Sequence, residues 1–453
     1  VRMVSEKQTK ESNLTNEEWD VAFLKKEKKH IGSKIKGYII YMLIIIFTLL
    51  FVLFVLGSMM HMNIIKLPKW VGNIRNYSNY SIEMEMEKST FRMITKLFGN
   101  SDNNHVWSPF VTSLILSLLL EGSRGRTASE IMETMNWTSI DLLDIRSYFD
   151  NILSHLNENM PKINIANRMF AENGLEISET YKDILKKYDA NIVEVDFRNI
   201  KETVDIINIW GVEKSEGLIK ELIKSDLINS ATIGIITSLM TFRGKWKIPF
   251  NKNLTREAEF LSEKGKVTNV KMMYNVGNFK HGYFPEYKLS VLELPYDIPD
   301  VVMVILIPSS LKDFKESLAK NNGEFLLQLN SKIKDHNLEI CLPKFKIKAN
   351  IPLEEKLQDI GIESLFNSET SDLKGMSPKE DFYIQKIIQG VQIEVDEEET
   401  EGSAYSASII GSRSLSTLLC ADRPFIFYIQ EKNIKLFYSG ANIKHPLIKM
   451  FYR

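Results

Sequence analysis

Beyond about residue 80, the apolar positions of the chain indicate helices first and strands later. Apolar residues recur at helical spacing through residues 111–120, 140–157, 177–189 and 201–223. The second half carries short runs that are rich in Val, Ile, Phe and Tyr and that end at turn residues. These predicted strands are Gly234–Phe242, Tyr287–Leu294, Val301–Pro308, Leu338–Ile347, Tyr383–Val395, Pro424–Ile429 and Lys435–Ile443. This order predicts an α+β fold in which sheets pack on helices.

The first eighty residues follow a different pattern. No charged residue occurs from Gly37 to Ile65, and a run of about 20 such residues is enough to cross a bilayer. Six lysines precede this run closely and two follow it, which places the N-terminus in the cytoplasm. Two alternatives stay open, because the small residues Gly57 and Ser58 would also suit the end of a cleaved signal peptide.

Four parts of the chain follow from this pattern. We predict a basic cytoplasmic-side segment at 1–36, a transmembrane signal-anchor or signal peptide at 37–65, a polar linker at 66–80 and a folded domain at 81–453. Either choice for 37–65 places the folded domain outside the cell, secreted or anchored as a type II membrane protein. Of the N-x-[ST] sequons, four lie beyond the apolar run and are candidate glycosylation sites: Asn76, Asn79, Asn136 and Asn253.

Composition excludes several classes of function. The 453 residues are 44% hydrophobic and 25% charged, which is typical of a globular protein, and a formal net charge of −1 gives no field that would attract nucleic acid. Cys341 and Cys420 have no partner at C-x-x-C spacing and no nearby His, which argues against zinc and redox chemistry. No G-x-S-x-G, H-E-x-x-H or P-loop pattern occurs. We expect a monomer without metal or cofactor that is not an enzyme.

Six groups of residues follow one another along the chain in a recognisable order. They are Ser108–Ser113; Asn208 and Trp210 with Ser215, Gly217 and Ile219; Phe242–Trp246 with Phe250, Thr255 and Phe260; Pro343–Phe345; Leu357 with Gly361, Ile362 and Phe366; and Leu419–Ile429. Together they resemble the motifs of the serpin family of serine-protease inhibitors. The resemblance implies a fold of about nine helices on three β-sheets with an exposed reactive-centre loop.

The segment 396–418 corresponds to that loop. In the family, its N-terminal part inserts into the main sheet as a new strand after cleavage, and strand side chains alternate between the two faces of a sheet. One alternating set is small throughout and suits the core: Thr400, Gly402, Ala404, Ser406 and Ser408. The other set holds the large and charged members and is expected to face solvent: Glu401, Ser403, Tyr405 and Ala407.

The resemblance also implies where the loop is cut. In the family the scissile bond follows the seventeenth residue from the start of the acidic hinge, and counting from Glu397 gives Arg413. The reactive bond is therefore Arg413–Ser414, and an arginine there suits the acidic pocket of a trypsin-like serine protease. That protease would form a covalent acyl complex with the chain. The hinge comprises Glu397, Glu398, Glu399, Thr400, Glu401, Gly402, Ser403 and Ala404.

Several residues depart from the family pattern. Glu399 stands where the family usually has glycine and is expected to slow insertion, and Tyr405 is bulky. In the sheet-opening region, formed by Ser108, Thr112, Ser238 and Gln389, the last two replace an Asn and a His of the family, and we expect a Ser-to-Gln hydrogen bond between them. The alternative function is therefore a non-inhibitory serpin, a carrier or chaperone whose loop is cleaved without trapping.

One helix bears on activation by polyanions, which in some serpins use a basic helix. The corresponding segment 141–158 carries four acidic residues and a single arginine, Arg146. We therefore predict that heparin does not activate this protein.

Overall fold

A computed structural model of the chain describes scattered helical positions between 82 and 93 and residues 104–160, 163–242, 244–320, 325–397, 417–432 and 436–443. These residues belong to one compact unit, Asn79–Arg453. Within them no helix has the length and apolar character to cross a bilayer, and the segment 37–65 lies outside them. The predicted boundaries at 36, 65 and 80 stay predictions.

Eight α-helices beyond residue 104 have bounds in the described part of the chain. Each of the first, third, fourth and fifth begins after a residue whose side chain accepts a backbone N–H of the first turn: Ser108, Asp141, Ser178 and Asn199. All fourteen residues of the first helix are buried, so it is the central helix of the fold. The bounds are α1 Pro109–Gly122, α2 Gly125–Met135, α3 Leu142–Asn159, α4 Glu179–Lys187, α5 Ile200–Lys214, α6 Leu311–Lys320, α7 Leu326–Lys332 and α8 Glu354–Asp359.

The main sheet has five strands. Their order across the sheet is β10, β11, β4, β2 and β3. The β4–β11 and β2–β3 pairs are parallel, whereas the other pairs are antiparallel. The bounds are β2 Ile163–Glu172, β3 Ala190–Val195, β4 Gly234–Phe242, β10 Phe345–Pro352 and β11 Lys386–Val395.

The remaining strands form one larger sheet. Their order is β1, β14, β13, β8, β7, β6, β9 and β12, and β5 also pairs with β6. The family resemblance implies three sheets, whereas the described strands join into two, because the eighteen-residue β6 pairs with β5, β7 and β9 along its length. The bounds are β1 His105–Trp107, β5 Arg256–Leu261, β6 Val267–Phe284, β7 Leu289–Pro295, β8 Val301–Pro308, β9 Lys334–Pro343, β12 Thr417–Cys420, β13 Phe425–Glu431 and β14 Leu436–Ile443.

Two predicted elements end differently in the structure. The helix expected over Lys201–Ile223 stops at Lys214, because Glu216 and Gly217 adopt left-handed backbone angles with φ of 51° and 79°. The strand expected over Leu338–Ile347 is two strands of different sheets, β9 and β10, which meet at Lys344. The α+β architecture itself is confirmed.

The centre of the main sheet is buried on both faces. Every residue of β4 is buried. On one face Ile236 and Met240 join the core that contains α1, and on the other Ile235 and Leu239 pack in the cluster that contains Trp210 of α5. A parallel strand pair covered by helices on both sides is the expected setting for such apolar strands.

Candidate functional site

The chain leaves the main sheet through a fixed pair of residues. After β11 ends at Val395, the Asp396 carbonyl accepts a hydrogen bond from Trp246 Nε1 at 2.8 Å. The Glu397 carboxylate binds Lys344 Nζ at 2.6 Å and accepts a hydrogen bond from Thr255 Oγ1 at 2.8 Å. We call Glu397, Lys344, Thr255 and Trp246 the hinge anchor. It fixes the point at which residues 398–416 begin.

The Glu397 carboxylate is charged in this setting. Its side chain is only 7% exposed, and this burial raises its pKa. The hydrogen bonds from Lys344 and Thr255 favour the charged form and outweigh burial, so that the pKa of Glu397 lies below its ordinary value. The first residue of the predicted hinge is therefore held by a charge-assisted contact at neutral pH.

A second polar cluster lies at the centre of the main sheet. Gln389 of β11 accepts a hydrogen bond from the Ser108 N–H at 2.8 Å and donates to the Ser108 carbonyl at 3.0 Å and to Thr112 Oγ1 at 3.1 Å. Trp107 Nε1 also donates to Thr112 Oγ1 at 2.8 Å. We call Gln389, Ser108, Thr112 and Trp107 the opening network. It is buried, and it joins β11 to the first turn of α1.

Ser238 faces Gln389 across the β4–β11 pair but bonds elsewhere. The two are register partners, yet Ser238 Oγ donates to Asn167 Oδ1 of β2 at 2.5 Å. The prediction of a hydrogen bond between Ser238 and Gln389 is therefore wrong. The reason is reach, since the longer glutamine side chain extends to the α1 N-terminus and the short serine meets the amide on its other neighbouring strand.

A disulfide lies where the chain returns after residue 416. Cys420 of β12 is bonded to Cys341 of β9, with 4.5 Å between their Cα atoms. The spacing of these cysteines in the sequence argues against metal and redox chemistry but does not predict their pairing. The available signal was weak: two cysteines, each in a strand-like run, in a chain predicted to be extracellular.

Several predicted site residues lie outside the described part of the chain. They are Asn76, Asn79, Glu398, Glu399, Thr400, Glu401, Gly402, Ser403, Ala404, Arg413 and Ser414. Of the two remaining sequon asparagines, Asn253 is exposed in the short turn Lys252–Leu254. Asn136 is half-buried, and its Nδ2 donates to Glu85 Oε2 at 3.2 Å. The position of Asn253 is the more accessible for a glycan.

The fold and these contacts define a class of protein. A long segment leaves the five-stranded sheet at the end of its internal strand β11, beside the hinge anchor, and the chain returns at β12 in the other sheet. A family model described as "Serpin (serine protease inhibitor)" matches residues 84–443. The chain belongs to the serpin family.

Named relatives cover most of this domain. The chain is 35% identical over 344 residues to leukocyte elastase inhibitor of Sus scrofa. This aligned region covers 73% of this chain and 90% of that protein. It is 28% identical to human antithrombin-III over 81% of this chain and 82% of that protein. The crystal structure of mouse protein-Z dependent protease inhibitor superposes with a TM-score of 0.73 at 25% identity, covering 81% of this chain and 99% of that one. Two of these relatives are named as inhibitors, and the third is named antithrombin-III.

The hinge anchor predicts a pH-dependent contribution to stability. Because the pKa of folded Glu397 is below that of the unfolded chain, its contribution is present at neutral pH and is lost as pH falls through the folded pKa. We expect Glu397→Gln to lower the free energy of unfolding by about 1–2 kcal/mol at pH 7. The difference from wild type should shrink below about pH 4. Denaturant unfolding across pH measures it.

The matched control for this substitution is Glu394→Gln, because Glu394 forms an exposed pair with Lys346. That change should cost less than about 0.5 kcal/mol at any pH. Equal effects of the two substitutions at pH 7 would contradict the anchoring role of Glu397.

The opening network predicts a large loss when its glutamine is removed. Gln389→Ala leaves the buried Ser108 N–H without its partner, while the Ser108 carbonyl still accepts from the N–H and Oγ1 of Thr112, so we expect a loss of about 1–3 kcal/mol in the free energy of unfolding. Lys346→Ala, on neighbouring β10, removes an exposed ion pair and should change it by less than about 0.5 kcal/mol. A Gln389→Ala protein as stable as the control would refute this assignment. Urea unfolding provides the measurement.

Proposed function

We propose that this protein is a suicide-substrate inhibitor of an extracellular trypsin-like serine protease, cleaved at Arg413–Ser414. The carrying observation is that β4 and β11 are direct neighbours and parallel, with the hinge anchor holding Glu397 just beyond β11. This is the arrangement of a main sheet before loop insertion. Arg413 is the only basic residue between Asp396 and Arg423, so the loop offers no competing arginine or lysine.

The directions of β4 and β11 favour insertion of a strand between them. A strand formed by the residues after Glu397 reverses direction and runs antiparallel to β11. Because β4 is parallel to β11, the same strand is antiparallel to β4 as well. Insertion would replace one parallel pair with two antiparallel pairs, which are slightly more stable per residue. The inserted strand therefore gains hydrogen bonds on both of its edges.

The chemistry is that of the target protease. Its serine oxygen attacks the Arg413 carbonyl carbon, the bond to the Ser414 nitrogen breaks, and that nitrogen takes the proton through the protease histidine. The product is an ester between the protease and Arg413, with a free amine at Ser414. Water would hydrolyse this ester, so trapping requires that insertion move Arg413 before water attacks.

The trypsin-like specificity rests on Arg413 rather than on the relatives. One relative is named for elastase and another for thrombin, and those names describe those proteins. A guanidinium pairs with a carboxylate at the base of a specificity pocket, which is the trypsin-like arrangement. The partner proposed here is therefore a trypsin-like protease in a covalent acyl complex.

The extracellular location is also a proposal. A disulfide persists in oxidising compartments and is rare in the cytosol, which supports a secreted or outward-facing domain. The uncharged run 37–65 would direct the chain there as an anchor or as a cleaved signal peptide. Asn76, Asn79 and Asn253 would then be open to glycosylation, with Asn136 less accessible.

A non-inhibitory serpin is the alternative, and Glu399 favours it. A charged side chain at the start of the inserting segment costs free energy if it must be buried. Slow insertion would let water release the protease, leaving a cleaved loop and no complex. If the loop does not insert at all, the cut protein melts at about the temperature of the intact protein.

Trypsin should convert the full chain into a complex that resists SDS. We expect Arg413→Ala to slow its formation by at least about 30-fold, because the lost guanidinium contact is worth about 2 kcal/mol or more. The control is Arg423→Ala, the nearest other arginine, which is half-exposed beside Asp422 and should leave the rate unchanged. Gel electrophoresis and mass spectrometry of the cut measure both.

Two outcomes would contradict the proposal in different ways. Cleavage after Arg413 without a stable band supports the non-inhibitory alternative. A stable band with elastase, cut at another residue of the loop, would keep the inhibitory function and refute the trypsin-like target.

Heparin should not accelerate complex formation through α3. The single arginine of this helix, Arg146, points inward, where Nε and Nη2 bind the two carboxylate oxygens of Glu121 at 2.7 Å and 2.5 Å. Glu121 is only 1% exposed, so Arg146 is already neutralised. We expect equal rates with and without heparin, and an acceleration that Arg146→Ala abolishes would contradict this.

A further inference from the structure

A tight turn between β2 and α4 presents an asparagine that is followed by a glycine. Asn173 and Gly174 are both exposed. The Leu175 N–H donates to the Glu172 carbonyl at 3.1 Å, which closes the turn. Gly174 has a φ of 87°, and Asn173 does not share this positive φ, which is the pattern of a type II turn. We call Glu172–Leu175 the β2–α4 turn.

Both groups that could react in this turn are free to do so. The Asn173 side chain and the Gly174 N–H have no hydrogen-bond partner within the described ranges. A Cβ placed on Gly174 would meet no atom within 4 Å beyond its chain neighbours, so the space beside its nitrogen is open. Glycine accepts both signs of φ, so the peptide plane between Asn173 and Gly174 turns over at low cost. The Gly174 nitrogen can therefore approach the Asn173 side chain without breaking a hydrogen bond.

This arrangement permits an internal substitution reaction. The Gly174 nitrogen loses its proton and attacks the Asn173 Cγ carbon, and the side-chain nitrogen leaves as ammonia. The product is a five-membered succinimide. Water then opens this ring in one of two ways. Breaking the bond from the Gly174 nitrogen to Cγ gives aspartate, and breaking the bond to the backbone carbonyl carbon gives isoaspartate. Asparagine is one of the thermolabile residues of proteins for this reason.

The backbone on both sides of the turn is held by other elements. The Asn173 N–H donates to the carbonyl of Val195, the last residue of β3, at 2.9 Å. The Ser178 N–H donates to the Met376 carbonyl at 2.8 Å, and Leu175 between these points is buried. Isoaspartate adds one carbon atom to the main chain between the two held points, whereas aspartate adds only charge. The isoaspartate form therefore cannot keep both the bond that closes the turn and the present burial of Leu175.

We propose that Asn173–Gly174 is a site of spontaneous deamidation in the folded protein, and that its isoaspartate product loosens the connection between β2 and α4. The reaction needs water as its one co-reactant and releases ammonia. The sequence provides the Asn-Gly pair, and the structure provides its exposure, its free amide groups and a glycine with room to change its backbone angles. The proposal is independent of protease inhibition, because it uses no residue of the hinge anchor or of the loop that follows it.

Peptide mapping of the full chain measures the reaction. The protein is incubated at neutral pH and body temperature, then denatured and digested with trypsin. Digestion releases Met169–Lys182, in which Asn173 is the one asparagine. We expect this peptide to gain the mass difference between an amide and an acid within about threefold of the rate of the same peptide in isolation, because the folded turn does not hinder the attack.

Asn229 is the reference within the same chain. It is exposed but precedes Ser230, and its Oδ1 accepts a hydrogen bond from the Ala231 N–H at 2.9 Å. We expect it to react at least about tenfold more slowly than Asn173. Isoaspartate is identified by methyl transfer from labelled S-adenosylmethionine with an isoaspartyl methyltransferase.

Gly174→Ala tests the role of the glycine, and Gly265→Ala is its matched control. Gly265 is also exposed, has a φ of 76° and has open space for a Cβ, but Lys264 precedes it instead of an asparagine. The two substitutions therefore introduce similar backbone strain. We expect Gly174→Ala to slow the reaction at Asn173 by at least about tenfold and Gly265→Ala to leave it unchanged.

Three results would overturn the site. One is a rate in the folded protein that is about tenfold or more below that of the isolated peptide. Another is an equal rate in Gly174→Ala and wild type. The third is a product that contains aspartate alone, since a succinimide opens at both of its carbonyl carbons.

Asn173→Asp separates the new charge from the added main-chain carbon. The isoaspartate fraction of aged protein is separated by anion exchange, and its melting midpoint is compared with those of Asn173→Asp and wild type. We expect the isoaspartate fraction to melt below both. An isoaspartate fraction that melts together with Asn173→Asp would refute the loosening of the turn.

Discussion

The main sheet depends on the contact between Gln389 and the first turn of α1. Three hydrogen bonds join this one side chain to Ser108 and Thr112, and all three residues are buried. A buried polar network is favourable only while every member is satisfied, since an orphaned donor or acceptor costs its full desolvation. The same contact therefore holds β11 against the first turn of α1, and β4, which pairs with β11, packs on the core that contains α1.

Residues at the connection between β9 and β10 contact the chain on both sides of the loop. Lys344 holds the hinge carboxylate and Cys341 holds the returning strand, and both lie where the chain crosses from one sheet to the other. One contact is an ion pair that responds to pH, and the other is a covalent bond that responds to reductant. The chain before the loop is thus held by an ion pair, and the chain after it is held by a disulfide.

The sequence predicts strands well where the pattern is apolar and the residues are central. Gly234–Phe242 and Val301–Pro308 match β4 and β8 to the residue. β5 and β6 were missed, because their many exposed polar residues hide the period of a strand. Lys344 and Thr255 fell inside recognised motifs, yet their contacts with Glu397 join residues far apart in the chain, and no local pattern records such a pairing. The disulfide could not be predicted from a local pattern either, because its cysteines are 79 residues apart.

The burial of the main sheet changes the expectation for the alternating loop. The set with Glu401 and Tyr405 was expected to face solvent, but every residue of β4 is buried and α5 covers the face that carries Leu239 and Ile388. A strand between β4 and β11 would therefore turn one of its sets toward α5. An aromatic side chain such as that of Tyr405 is compatible with an apolar cluster, whereas a carboxylate such as that of Glu401 costs free energy if it is buried there. If the loop inserts between β4 and β11 as proposed, the set that turns toward α5 would meet the apolar cluster in which Trp210 packs against Phe170, so the fit of that set to this cluster contributes to the free energy of insertion.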